Sequence, residues 1–91
     1  MRKDIRFSEI PLNWIEGSIG RYRFQAKIFD RGSEYGIKNG RISKLSVWDA
    51  GKEIICYDRG WSIKPACEAH WEILWDLHNH LETLPVSDKK N

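Results

Sequence analysis

From Trp14 to Asp58 apolar side chains recur mainly at alternate positions, and from Pro65 to Leu84 they recur at three and four, so the chain reads as strands followed by one helix. At 100° per residue Cys67, His70, Leu74, Leu77, His78 and Leu81 fall on one stripe with Trp71 and Ile73 on its flanks, while Glu68, Glu72, Asp76, Asn79 and Thr83 point away. Pro65 suits the first helical position and Pro85 stops the helix, so the spacing predicts a helix over Pro65 to Leu84.

The strands before it fix one another. A two-residue type II′ turn at Gly20-Arg21, with glycine in its first central position, pairs Ile19 with Tyr22, Gly17 with Phe24 and Ile15 with Ala26. That register gathers Ile15, Ile19, Tyr22, Phe24, Ala26 and Ile28 on one face, so turn chemistry and hydrophobic alternation agree. Asp30 to Gly40 is a long connection, and Asn39-Gly40 predicts a type I′ turn joining Tyr35–Lys38 to Arg41–Lys44. Arg41 to Trp48 is a third strand. A turn at Asp49-Ala50-Gly51-Lys52 then sets Val47 against Ile54 and Leu45 against Cys56, and a fourth strand ends near Asp58. Trp61 to Lys64 leads into the helix. The expected fold is α+β, a four-stranded antiparallel meander with one C-terminal helix packed on one face (ββββα). Residues 13–84 form the single domain. Residues 1–12 read as an N-terminal arm or edge strand, and 85–91 as a disordered tail.

Composition narrows the function classes. The chain has 91 residues, enough for one core and no second domain. Its net charge of +2 imposes no global field that would demand nucleic acid or an anionic membrane, so either would need local clustering. No apolar run nears the roughly 18 residues of a membrane span, and Met1-Arg2-Lys3-Asp4 opens no signal peptide, which predicts a cytoplasmic protein without a membrane partner. Cys56 and Cys67 are too few for a disulfide framework and read as reduced thiols.

Two surfaces stand out. Phe29-Asp30-Arg31-Gly32-Ser33 returns as Tyr57-Asp58-Arg59-Gly60-Trp61, and in the meander both copies close strands that run the same way, about 10 Å apart across the third strand. Asp30, Arg31, Glu34, Tyr35, Asp58, Arg59 and Trp61 are thus candidate binders of a small anionic ligand, with the helix N-terminus expected at the same end of the sheet. Against this stands the ordinary use of Asp and Gly as turn formers. The second surface is the sheet face away from the helix, where Trp14, Arg23, Lys27, Phe29, Lys44, Trp48, Ile55 and Tyr57 are expected. Such a face suits self-association or a protein partner, is covered by residues 1–12, or stacks single-stranded nucleic acid; the order given is the order of preference.

Other chemistry is thinly represented. Cys67 and His70, at i and i+3, reach one ion only with two ligands from elsewhere, and His70 and His78 lie about 12 Å apart along a helix, so no metal is expected and the histidines should pack on the sheet and hydrogen-bond to backbone. Phosphate-loop, nucleophile-elbow and His-Glu-x-x-His motifs are missing, no pair of carboxylates is singled out, and neither a catalytic residue nor a cofactor is assigned.

The run from Phe24 to Ile37, with Gly40 to Leu45 and Tyr57 to Trp61, resembles a family of short uncharacterised proteins, a domain of unknown function, from Gram-positive bacteria and their phages. The likeness spans roughly residues 14–84. It implies a cytosolic accessory protein, a binding module more than an enzyme, and supplies no cofactor or catalytic residues.

Overall fold

The computed structural model describes residues 5–10, 13–29 and 31–84. Its elements in chain order are β1 (Ile5–Ile10), β2 (Trp14–Ile19), β3 (Tyr22–Ile28), β4 (Ile42–Asp49), β5 (Lys52–Asp58), β6 (Trp61–Ile63) and α1 (Glu68–Glu82). Each strand pairs antiparallel with the next, in the order β1-β2-β3-β4-β5-β6. The α+β class, the antiparallel sheet and the C-terminal helix are as expected, but the sheet has six strands where four were expected. Residues 5–10 extend it beside β2, with Ile5 opposite Ile19 and Phe7 opposite Gly17, instead of lying over the open face. Trp61–Ile63 pairs with β5 as a second edge strand. Residues 1–4, 11–12 and the tail 85–91 lie outside the described residues.

The β2–β3 hairpin has the expected register throughout, and the positive φ of its turn falls on Gly20 and not on Arg21. Further along, bulges reset the alternation. Lys27 faces Lys44 and Ile28 faces Ile42, so Ser43 is the extra residue and Ile42 takes the core position that strict alternation gives to Ser43. Ser43 is buried all the same, its hydroxyl donating to the Lys27 carbonyl. In the next hairpin Asp49 faces Lys52 and Trp48 faces Glu53, but Val47 faces Ile55 and Leu45 faces Tyr57, because Ile54 is the extra residue of a second bulge. The expected pairs Val47 with Ile54 and Leu45 with Cys56 are therefore displaced by one. Ile55 and Tyr57 turn into the core, and Cys56 takes the open face. The connection after β3 forms no subsidiary hairpin. It makes a single 3₁₀ turn at Ile37–Asn39, in which Lys38 and Asn39 have positive φ and the Gly40 amide donates to the Ile37 carbonyl, so the I′-like turn comes one residue before Asn39-Gly40.

α1 begins at Glu68 with Cys67 before it, three residues later than Pro65, which is buried ahead of the helix. Its buried side chains are Ile73, Leu74, Leu77 and Leu81; Cys67 is exposed and Ile73 moves from the flank to the centre. They close on a core of Ile15, Ile19, Phe24, Ala26, Ile42, Leu45, Val47 and Ile55. His70 sets its ring edge-on to Tyr22 and His80 sets its own edge-on to Phe7, while His70 Nδ1 and His80 Nε2 have no hydrogen-bond partner, contrary to the expected backbone bonds. β6 also reverses the chain before the helix starts. The C-terminus of α1, and not its N-terminus, therefore comes to the end of the sheet that carries Asp58-Arg59-Gly60, where Glu82 meets Arg41. No helix among the described residues is long and apolar enough to cross a membrane.

Candidate functional site

The face away from α1 is set by strand alternation into rows. Trp14, Lys27, Lys44 and Asp58 lie side by side across β2 to β5 in one row, and Ser18, Arg23, Trp48 and Glu53 lie in another nearer the hairpin turns. Opposite charges mix over most of this face. At the end holding Asp58-Arg59-Gly60 two cations stand side by side: Lys27 and Lys44 are directly opposed, with Asp58 beyond Lys44, and the opposition costs stability on its own. Lys27 Nζ is drawn over the rings of Trp14 and Phe29, at 5.7 Å from each centroid, and Lys44 Nζ lies 3.7 Å from Asp58 Oδ1. That ion pair is solvent-exposed and weak.

Arg59 adds the third cation. It occupies a left-handed conformation, φ 58°, with the adjacent Gly60 outside it, and its amide donates to the Ser43 carbonyl. A non-glycine residue there is strained by roughly 1–2 kcal/mol. The result is that its guanidinium lies over the Tyr35 ring at 5.8 Å. The 31–36 segment is held by the Tyr57 hydroxyl, which donates to the Tyr35 carbonyl at 2.8 Å, and by the Tyr35 amide donating to Ser33 Oγ. Burial raises the Tyr57 hydroxyl above its ordinary pKa. Lys27, Phe29, Ser33, Tyr35, Ser43, Lys44 and Arg59 together line a cavity of about 310 Å³.

The two surfaces separated in sequence thus meet in one pocket. Lys27, Phe29 and Lys44 come from the sheet face, Tyr35 and Arg59 from the turns, and Asp58 joins through Lys44. Arg31 and Glu34 are exposed and do not line it; Asp30 lies outside the described residues. Trp61 turns the other way, edge-on to Tyr57 at 5.0 Å and to Trp71 at 6.4 Å. Arg23 and Trp48 lie at the far end of the face, and Ile55 and Tyr57 are in the core. Ser33 and Ser43 were not singled out by sequence; no pattern marks them. The helix N-terminus contributes nothing to this end of the molecule, so anion attraction there rests on side chains.

Among the described residues, two further cavities compete less well. One of about 490 Å³ lies between α1 and the 38–40 turn, but its Trp75 ring is capped by Lys38 Nζ at 5.0 Å and its Glu82 carboxylate is engaged by backbone amides. Another, of about 370 Å³, lies on the β1 side and mixes Arg6 and Arg23 with Glu16. Among the described residues no group of three or more His, Cys, Asp or Glu is placed to hold a metal ion. The Cys56 thiol, on the open face, is pushed up by burial and by the neighbouring Glu53 carboxylate, which makes it a poor nucleophile.

A model of the family described as Domain of unknown function (DUF7678) matches residues 13–82. The chain belongs to that family. The DUF7678 span runs from the start of β2 to the end of α1, so it takes in every residue lining the pocket and leaves out β1. Its description names no activity, ligand or organism. No curated protein and no solved structure matches the chain.

Proposed function

We propose that this protein is a small binding module whose open sheet face takes an anionic group into the pocket between Lys27, Lys44 and Arg59. The observation that carries the reading is the direct opposition of Lys27 and Lys44 in a pocket that a strained Arg59 also lines. Like charges set face to face weaken a sheet, which an anionic ligand offsets, and left-handed strain at an arginine is retained where the placement of its guanidinium is needed. The pocket is at the small end of the roughly 300–1,000 Å³ range of ligand sites. An extended nucleic-acid strand fits less well, because the rest of the face alternates Arg6 and Arg23 with Glu16 and Glu53. A cytoplasmic setting, in bacteria or their phages, goes with this reading, as do two unpaired cysteines.

Pyrophosphate at millimolar concentration is expected to raise the melting temperature, as any ligand selective for the folded state does. Lys27→Met and Lys44→Met should abolish that rise while changing the stability of the unliganded protein by less than about 1 kcal/mol, because the relieved like-charge repulsion is offset by the loss of the Lys27 ring contacts and of the Lys44–Asp58 pair. Loss of the response in a protein of unchanged stability separates a binding site from a structural role. Absence of any response to phosphate or pyrophosphate, with a dimer seen by light scattering, would turn the reading to the other occupant of this face, a second copy or a protein partner gripping Trp14, Phe29 and Trp48. That alternative has lost Ile55 and Tyr57 to the core and with them much of its apolar patch.

A further inference from the structure

Resting on the anion pocket, we infer that its ligand is a free phosphate monoester carrying a planar ring, of the pyrimidine mononucleotide class. Phe29 and Tyr35 are 41% and 53% exposed, and both stand on the wall of this one pocket. A site for a bare phosphate has no use for two exposed aromatic faces. Each ring already carries a cation, Lys27 over Phe29 and Arg59 over Tyr35, so the same side chains that meet the phosphate cover the rings when it is absent. An arriving phosphate draws the ammonium and guanidinium groups onto its oxygens, the guanidinium with fork geometry, and uncovers ring faces for a base to stack on. Lys44 remains as a point charge beside it, with Asp58 as its displaced partner. The 310 Å³ volume takes one small nucleotide, with Phe29 and Tyr35 as the two rings in its lining.

The test is calorimetric titration of the full chain with inorganic phosphate, uridine, uridine monophosphate and a 5′-phosphorylated uridine trinucleotide. Uridine monophosphate is expected to bind at least about tenfold more tightly than either phosphate or uridine, the advantage that stacking one base confers. In Tyr35→Ala and Phe29→Ala the ratio of the uridine monophosphate and phosphate affinities should fall toward one. Tyr35→Ala keeps the main-chain carbonyl that Tyr57 uses, so its fold is not at stake. Equal affinity for phosphate and uridine monophosphate overturns the nucleotide assignment and leaves the anion pocket standing, whereas no binding of either removes both. Tighter binding of the trinucleotide than of the mononucleotide overturns the free ligand in favour of a strand end.

Discussion

Glu82 shows how much one side chain at the end of a helix settles. Its Oε2 accepts the Arg41 amide at 2.7 Å and the Ile42 amide at 3.3 Å, the latter on a residue with no solvent exposure. Arg41 returns the contact: its Nη1 donates to the carbonyls of Glu82 and Leu84, and its Nε to the carbonyl of Phe29. The arginine thereby satisfies the Glu82 carbonyl at the helix end and the Leu84 carbonyl just beyond it, and places a cation at the negative end of the helix dipole. A Cβ at Gly40 would meet the Glu82 carboxylate and displace it from these amides. Glu82→Ala leaves two amides without an acceptor and is expected to cost about 1–3 kcal/mol in urea denaturation, with Glu82→Gln losing less because its amide oxygen still accepts. An equal loss in both variants would mean that packing, and not the accepted amides, holds the latch.

At the scale of elements, the β4–β5 turn places Ala50 and Gly51 in positive φ, 53° and 86°, the geometry of a type I′ turn. Alanine is poorly suited to that position and asparagine is favoured there, so Ala50→Asn should raise stability by about 0.5–1 kcal/mol, read as a higher melting temperature. The same hairpin marks the limit of what sequence disclosed. β2–β3 was legible because glycine at position 20 and the apolar alternation demand one register. β4–β5 was not, because Ile54 and Ile55 are adjacent and either satisfies a core position, which leaves the bulge unsigned. Three residues with one alternation do not announce a strand, so β6 was missed, and with it the direction of α1 and the Glu82–Arg41 latch. The pocket was legible only in halves: Tyr35 and Arg59 as turn residues, Lys27, Phe29 and Lys44 as face residues. What joins them is the left-handed backbone at Arg59, and nothing in the sequence distinguishes an arginine that adopts it.

For the molecule as a whole, stability and site are tied through Tyr57. It is buried in the core beside Leu45 of β4, packs edge-on against Trp61, and its hydroxyl holds the segment that carries Tyr35. Burial raises its pKa above the ordinary value of 10.0, so the folded state keeps a proton that the unfolded chain releases first. As pH climbs past 10 the unfolded state binds fewer protons than the native one, and unfolding becomes easier with each increment until the native hydroxyl also ionises. The contribution is thus whole below pH 10 and is lost as pH rises through the folded value. Tyr57→Phe removes this slope: the difference in unfolding free energy between wild type and variant should be about 0.5–1.5 kcal/mol near neutrality, the worth of one hydrogen bond, and should shrink or change sign above pH 10. Denaturant titrations from pH 7 to 11 measure it, and the other titrating groups cancel in the comparison. Pyrophosphate affinity at neutral pH should fall in the same variant although residue 57 does not line the pocket, because the wall bearing Tyr35 loses its anchor to β5. A stability difference that stays constant to pH 11 would show that the phenol proton does not hold that wall.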